Sequence, residues 1–195
     1  MKIKLGILGG IGPEATGEFY NKLISKLQER GLIKSNKDFP QIVINSIPAP
    51  ELIYDNISDE ELMPYIEGLK ELDSFGVDFI VMVCNTIHLY YNKLQTEVKA
   101  PIIDLRQELK DFLKRKEVKS LLIIGTSNTL KQGLYRSENI KIFEPNKDEI
   151  RQLTNSIFNF NKGFDKQLQV QKVKSICQKY LKRAAYKFDT IGIMI

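Results

Sequence analysis

Apolar residues in this chain are gathered into short, almost unbroken runs separated by mixed segments. The clearest runs span residues 3–10, 77–83, 118–126 and 188–195. Runs of Ile, Val and Leu of this length, bounded by Gly or polar residues, are typical of strands that are buried on both faces. Residues 40–48 and 140–145 carry the same kind of run. We therefore predict six principal strands.

Between these strands, apolar residues recur at helical spacing. Residues 58–76 form the clearest case, because Ser58 and Glu61 make a capping box ahead of the apolar stripe. Pro64 is expected to kink this helix or to mark its true start. The same spacing predicts further helices at residues 11–31, 86–98, 105–116, 147–160 and 165–187, with a short strand at 100–104.

Alternating strands and helices place the chain in the α/β class, with mostly parallel sheets flanked by helices and right-handed crossovers. Ligands in such folds bind at the carboxyl ends of the strands. The segments that follow those ends are residues 9–12, 45–46, 84–86 and 126–129. We expect a ligand site to be built from them.

The pattern also occurs twice. The sequence LGILGGIGP at residues 5–13 is similar to LLIIGTSNT at residues 121–129. In the same way, VDFIVMVC at residues 77–84 is similar to FDTIGIMI at residues 188–195. We predict two similar lobes, residues 1–104 and 105–195, with the active-site cleft between their strand ends. The second lobe is expected to be truncated at its C-terminal end, and a dimer partner would cover the apolar surface left there.

Composition narrows the function classes. Hydrophobic residues make up 43% of the chain and charged residues 27%, as in ordinary soluble proteins. No apolar run approaches the roughly 20 residues of a membrane span, and no secretory signal precedes the first strand, so a cytoplasmic protein is expected.

The net charge is +5, but the lysines are dispersed, which argues against nucleic acid as a partner. Two cysteines and one histidine argue against structural zinc.

The most unusual chemistry lies after the third strand, where the sequence reads CNTIH from Cys84 to His88. A thiol at the start of a helix faces free N–H groups, which are expected to lower its pKa. Asn85 and Thr86 could then hold a carboxylate beside this base. The alternative is a buried structural thiol, which is common in protein cores. His88 either orients the thiol or is a buried helix residue.

The chain resembles the aspartate/glutamate racemase family, whose members need no pyridoxal phosphate or other cofactor. The resemblance rests on GILGGIGPEAT at residues 6–16, on CNTIH at 84–88, on the Gly-Thr loop that includes Thr129, and on IFNFNKG at 157–163. It implies a homodimer that acts on a small acidic amino acid. In that family two cysteines flank the substrate Cα, because one acid/base group reaches only one face.

The resemblance also assigns roles. It implies that Cys84 is the first catalytic base and that Asn85, Thr86, Thr126 and Thr129 bind the substrate's carboxylate or ammonium group. Lys162 matches a lysine that faces the substrate. Two more positions are candidates for substrate contact: Gly10, where the backbone can approach a ligand, and Ser46 in the loop after the second strand. That loop reads NSIPAPEL and lacks the arginine that some relatives carry there.

The second catalytic cysteine is missing at its expected place. Cys84 lies six residues after Asp78, and the residue six positions after Asp189 is Ile195. Cys177 falls on a helical face with apolar residues and is interpreted as a packing residue. Racemisation is therefore expected to be weak or absent. The alternatives are a one-cysteine decarboxylase or isomerase of a dicarboxylate, a binding protein for acidic amino acids, and an inactive truncated chain.

Overall fold

Two apolar runs form the central strands of two parallel sheets in a computed structural model of the chain, which describes residues 3–52, 57–182 and 189–194. The chain divides into two compact units, Met1–Asp104 and Leu105–Ile195. Each unit contains one three-stranded sheet among the described residues. We refer to them as the first and second units.

The first unit is built around β1 (Lys4–Gly9), which lies between β2 (Gln41–Ser46) and β3 (Phe79–Met82). All pairings are parallel, and β1 is buried from its second residue onward, as its continuous apolar sequence predicts. Its helices are α1 (Pro13–Glu29), α2 (Asp59–Ser74) and α3 (Tyr91–Thr96), with 3-10 helices at Asn36–Asp38 and Thr86–Tyr90.

The second unit repeats this arrangement with β4 (Ser120–Gly125) between β5 (Lys141–Phe143) and β6 (Thr190–Met194). Its strands are also parallel, and every residue of β4 is buried. The helices are α4 (Leu105–Arg115), α5 (Ser127–Lys131), α6 (Lys147–Asn161) and α7 (Lys166–Lys182). The prediction of parallel α/β sheets flanked by helices is confirmed.

The internal repeat extends to matching hydrogen bonds. The Asp78 carboxylate, just before β3, accepts the backbone N–H of Lys4 at 2.6 Å. The Asp189 carboxylate, just before β6, accepts the N–H groups of Lys119 at 2.6 Å and Ser120 at 2.8 Å. In both units an aspartate thus fixes the register of the third strand against the central strand. Ile195, the counterpart of Cys84 by this count, lies outside the described residues.

Three predicted elements differ from the observed ones. The predicted strand at residues 100–104 is a single bridge between Ile80 and Ile102. The predicted helix at 86–98 begins as a 3-10 helix and becomes α-helical only at Tyr91. Pro64 does not start α2, which begins at Asp59 behind the capping box of Ser58 and continues through the proline; the kink expected there stays a prediction. The predicted end of α7, residues 183–187, lies outside the described residues.

Close packing of α2 on the sheet depends on Gly68. A Cβ atom at this position would lie 2.9 Å from side-chain carbons of both Leu8 and Ile47. Real Cβ atoms do not approach other carbons this closely, so the helix can lie at this distance only because residue 68 is glycine. Gly68 therefore holds α2 against β1 and the loop that follows β2.

We predict that Gly68→Ala lowers the free energy of unfolding by about 1–3 kcal/mol through overpacking. Gly17→Ala is the matched control: it also lies inside a helix, but no atom lies within 4 Å of its added methyl. That change should raise the free energy of unfolding by about 0.5–1 kcal/mol. Urea denaturation followed by circular dichroism measures both, and equal effects would contradict the packing role of Gly68.

In the second unit, buried Glu149 joins α6 to α7. Its carboxylate accepts the Tyr180 hydroxyl at 2.6 Å and the Asn146 N–H at 3.0 Å, and it pairs with the Lys179 ammonium. Burial alone would raise the pKa of Glu149. The hydrogen bonds from Lys179, Tyr180 and Asn146 outweigh burial, so the pKa lies below its usual range.

We expect Glu149→Gln to destabilise the protein by about 1–3 kcal/mol at neutral pH, because it removes charge-assisted hydrogen bonds from a buried group. The stabilisation is fully present above the glutamate pKa of the unfolded chain, about 4.3. It is lost as the pH falls through the lower pKa of the folded state. Urea midpoints measured across this range test the dependence. Asp148→Asn, an exposed neighbour whose side chain is 81% accessible, should change stability by less than about 0.5 kcal/mol.

Candidate active site

The carboxyl ends of β1, β2 and β3 lie at one edge of the first sheet because the three strands are parallel. The segments that follow them carry three of the candidate residues: Gly10, Ser46 and Cys84. A backbone hydrogen bond from Ile47 N–H to Gly9 O, 3.1 Å long, joins the first two segments. The structure thus brings the candidates of this unit to a common edge.

Gly10 is required by its surroundings. Its φ is +86°, which favours glycine, and an added Cβ would lie 2.2 Å from the carbonyl oxygen of Ile47. The Gly10 N–H donates to the Thr16 hydroxyl at 3.1 Å. These contacts give the glycine a packing role between the loops after β1 and β2. Its contact with substrate stays a prediction.

Cys84 follows the end of β3 and is partly buried against the apolar core of the first unit. The backbone N–H groups of Ile87 and Thr86 donate hydrogen bonds to the thiol. Burial nevertheless raises the pKa of Cys84, because the loss of hydration disfavours the thiolate more than the two N–H groups favour it. The prediction of a lowered thiol pKa is therefore wrong.

The neighbours of Cys84 are more enclosed than the sequence suggests. Asn85 is partly exposed, and its carbonyl oxygen accepts the His88 N–H at 3.1 Å. Thr86 is buried, and His88 is only 1% exposed. The His88 ring is stacked near that of Tyr91, with centroids 6.4 Å apart. The structure thus agrees with the interpretation of His88 as a buried helix residue.

At the end of β2, Ser46 is available to a ligand, whereas the side chain of its neighbour Asn45 is used in contacts with α2. Ser46 is exposed. The Asn45 side chain turns toward α2, where its amide nitrogen donates to Gly68 O at 3.0 Å and to the Glu71 carboxylate at 2.6 Å. Asn45 therefore connects β2 to α2, and the exposed hydroxyl of Ser46 remains the candidate in this loop.

In the second unit, the loop after β4 forms a helix cap. The Thr126 hydroxyl accepts the Thr129 N–H at 3.5 Å and lies 3.1 Å from the Thr129 hydroxyl. Thr126 is partly exposed, whereas Thr129 is 2% exposed. Thr126 thus presents more surface to a ligand than Thr129 does. Lys162 is exposed at the C-terminal end of α6.

Cys177 packs against apolar residues of the second unit, as its helical spacing predicts. It lies in α7, partly buried against the core of the second unit beside Val173. Burial raises the pKa of its thiol, which favours the neutral, protonated form. Val170, placed on the same face by helical spacing, is exposed. The packing interpretation of Cys177 is supported by these contacts.

Sequence reasoning missed two tyrosines near Cys84. Tyr65 in α2 is fully buried and donates its hydroxyl proton to Pro50 O. Burial, followed by the charges of Cys84 and Glu61, raises the pKa of Tyr65 above its ordinary range. Tyr90, in the 3-10 helix, accepts the Ile57 N–H at 3.2 Å. Both residues lie in helical apolar stripes, and their hydroxyl contacts leave no signal in the sequence.

Among residues 3–52, 57–182 and 189–194, no group of three or more His, Cys, Asp or Glu side chains could hold a metal ion. Within the same ranges, no helix is both long enough and apolar enough to cross a membrane.

Comparison with known proteins gives a consistent family. A profile of the family described as Asp/Glu/Hydantoin racemase matches residues 8–188. The chain is 30% identical over 147 residues to the broad specificity amino-acid racemase RacX of Bacillus subtilis. That match covers 75% of this chain and 63% of RacX, so the chain spans less than two thirds of that relative.

Solved structures share the fold. An aspartate racemase from Picrophilus torridus superposes with a TM-score of 0.79, covering 97% of this chain and 79% of that one. An aspartate racemase homologue from Pyrococcus horikoshii gives a TM-score of 0.71, with coverages of 100% and 85%. Both are 24% identical in sequence, so they are evidence for the fold alone.

The raised pKa of Cys84 predicts a late titration. In a Cys177→Ser variant, where Cys84 is the remaining thiol, thiolate absorbance near 240 nm should appear with a midpoint above about 8.5, the value for a free cysteine. The physical reason is that burial disfavours the charged form. A Cys84→Ser, Cys177→Ser protein corrects for tyrosine absorbance. A midpoint below that of free cysteine would contradict the effect of burial.

Proposed function

This chain belongs to the Asp/Glu/hydantoin racemase family, and we propose on that premise that it transfers a proton at the Cα of an acidic amino acid, aspartate or glutamate. The Cys84 thiolate is the base, and no cofactor takes part. The observation that carries this proposal is the position of Cys84 after β3, where two backbone N–H groups donate to its sulfur. A thiol so placed lies at the edge where parallel sheets bind ligands.

The proposed step begins with substrate bound beside the partly buried thiol. Asn85, Thr86 and exposed Ser46 bind its polar groups at this edge of the first unit. Thr126, Thr129 and Lys162, which lie in the second unit, stay candidates for substrate contact by the family resemblance. The positive charge of the substrate's ammonium group favours the thiolate over the thiol. Binding thereby counteracts the burial that raises the pKa of Cys84 in the free protein.

In the chemical step, the sulfur takes the proton from Cα, and the electrons of the C–H bond are delocalised into the α-carboxylate. The N–H groups of Thr86 and Ile87 stabilise the thiolate before transfer. Inversion then requires a proton donor on the opposite face. By the internal repeat, the residue that corresponds to Cys84 in the second unit is Ile195, whose side chain has no acidic proton to donate. The thiol therefore exchanges its proton with solvent and delivers one to the same face of Cα from which the first was taken.

A second candidate function is binding of an acidic amino acid without turnover. The raised pKa of Cys84 favours it, because a neutral thiol at physiological pH is a poor base. Calorimetric binding of aspartate or glutamate that is unchanged by Cys84→Ser would distinguish this function from catalysis.

The family resemblance also implies a homodimer and a cytoplasmic location, and both are part of the proposed racemase-like function.

We predict that aspartate or glutamate incubated with this protein in heavy water gains deuterium at Cα for one enantiomer only. Proton NMR measures the loss of the Cα–H signal, and chiral chromatography measures inversion. The exchange rate should rise with pH as Cys84 ionises, because only the thiolate accepts the proton.

Matched cysteine variants control this experiment. Cys84→Ser should reduce exchange by at least about a hundredfold, the lower end of what a positioned base contributes. Cys177→Ser should leave the exchange rate unchanged, because Cys177 packs against the core of the second unit. No deuterium at Cα in either enantiomer would refute the catalytic proposal.

A further inference from the structure

The loop after β4 and the short helix α5 carry two of the candidate residues, Thr126 and Thr129. α5 spans five residues, Ser127–Lys131. A helix of this length closes few hydrogen bonds of its own and is unstable in isolation. Its cap is also weak, because the Thr129 N–H donates to the Thr126 hydroxyl at 3.5 Å, beyond the roughly 2.7–3.2 Å of ordinary N–H···O bonds. The conformation of this loop therefore depends on contacts with other elements of the second unit.

One such contact comes from Thr154 in α6. Its hydroxyl accepts the Ser127 N–H at 2.9 Å and donates its own proton to Ile150 O, one turn earlier in α6, also at 2.9 Å. The donation to Ile150 fixes the direction of the hydroxyl, so that a lone pair remains for the Ser127 N–H. Thr154 thus holds the residue that lies directly after Thr126.

The helix that carries Thr154 is fixed against β4 by the core. Leu153, its neighbour in sequence, is fully buried and packs in one apolar cluster with Leu122 and Ile124 of β4. The strand that leads into the loop and the helix that contacts the loop are therefore held together by packing. The hydrogen bond between Ser127 and Thr154 attaches the loop to this frame.

The first unit holds its corresponding loop with a similar contact. There the Gly10 N–H, directly after β1, donates to the Thr16 hydroxyl of α1 at 3.1 Å. In both units a threonine hydroxyl on a helix accepts a backbone N–H of the loop that follows the central strand. The threonine lies in the first helix after the strand in one unit and in α6 in the other, so the contact does not depend on one particular helix.

We propose that Thr154 is a positioning residue, whose hydroxyl holds the loop after β4 and so fixes the orientation of the Thr126 side chain at the end of the strand. Thr126 is partly exposed, whereas Thr129 is buried, so Thr126 is the side chain that this contact orients toward a ligand. The consequence for the reaction rests on the proposed function, in which Thr126 is a candidate for substrate contact. Thr154 acts through the loop and has no contact with substrate in this proposal.

Two substitutions at this position separate the hydroxyl group from the packing of the side chain. Thr154→Val keeps the branched shape and removes the acceptor of the Ser127 N–H. Thr154→Ser keeps the hydroxyl and should preserve the contact. Thr96→Val is the matched control, because the Thr96 hydroxyl also donates to a carbonyl oxygen of its own helix, that of Lys93 at 2.7 Å, but lies in the first unit.

Amide hydrogen exchange measured by NMR is the first readout, and it requires no activity. We expect Thr154→Val to speed exchange of the Ser127 N–H by roughly twofold to tenfold, the factor that one hydrogen bond is worth. The Leu130 N–H, which donates to Thr126 O at 3.1 Å, should exchange faster as well, because it belongs to the released loop. The N–H groups of β4 should keep their exchange rates. Thr154→Ser and Thr96→Val should leave the exchange of the loop unchanged.

The kcat and KM of Cα–deuterium exchange are the second readout. Thr154→Val should raise KM by a similar factor with kcat nearly unchanged, because a contact that holds substrate equally in the ground state and the transition state affects binding alone. Thr154→Ser should keep the KM of the unsubstituted chain. A higher KM with unchanged exchange in β4 is a combination that a general loss of stability does not produce.

Three outcomes overturn the inference: an unchanged exchange rate of the Ser127 N–H in Thr154→Val, equal acceleration in Thr96→Val or throughout β4, or an unchanged KM in a Thr154→Val protein whose loop exchanges faster. If the unsubstituted chain exchanges no Cα proton, the proposed function fails on its own. The amide exchange rates still decide whether the Thr154 hydroxyl holds the loop after β4.

Discussion

The candidate site depends on the register between β1 and β3. At one end of the pair, the Asp78 carboxylate accepts the N–H of Lys4. At the other, the Val83 N–H donates to Leu8 O at 2.9 Å, and Cys84 follows directly. A shift of one residue would turn every side chain of β3 to the opposite face. The position of the thiol is thus set by backbone pairing along the whole strand.

Two acidic groups in this chain show how burial and hydrogen bonding compete. The Cys84 thiol accepts hydrogen bonds from two backbone N–H groups, and burial still raises its pKa. The Glu149 carboxylate accepts hydrogen bonds from the Lys179 ammonium, the Tyr180 hydroxyl and a backbone N–H, and its pKa lies below the usual range despite burial. The difference is the cation, since a full opposite charge in contact outweighs a loss of hydration that neutral donors do not. In the proposed reaction, the substrate's ammonium group supplies the cation that Cys84 lacks.

The sequence predicts the elements whose signals are local. The buried strand β1 follows from its continuous apolar run, and the start of α2 follows from the capping box of Ser58 and Glu61. The bridge at Ile102 was predicted as a strand, because an apolar segment does not reveal how many of its residues find a partner. The pKa of Cys84 was predicted in the wrong direction, because burial comes from residues distant in sequence.

For the candidate site, the sequence predicts which segments lie at the strand ends better than it predicts what each side chain in them contacts. Cys84 and Gly10 do lie at strand ends, and their contacts with substrate stay predictions. Asn45 lies in a predicted segment, yet its side chain is used to hold α2. Tyr65 and Tyr90 each make a hydroxyl contact with a residue distant in sequence. An apolar stripe does not distinguish such a tyrosine from one that only fills space.

The order of strands in the two sheets has a consequence for biosynthesis. β1 acquires both of its neighbours, β2 and β3, before any strand of the second unit has been translated. β4 receives β5 early, but its other edge waits for β6 until α6 and α7 have left the ribosome. An apolar edge left open for that interval is prone to pairing with another nascent chain. In both units, therefore, one edge of the central strand stays unpaired until the third strand has been translated, about 70 residues later in the first unit and about 65 in the second.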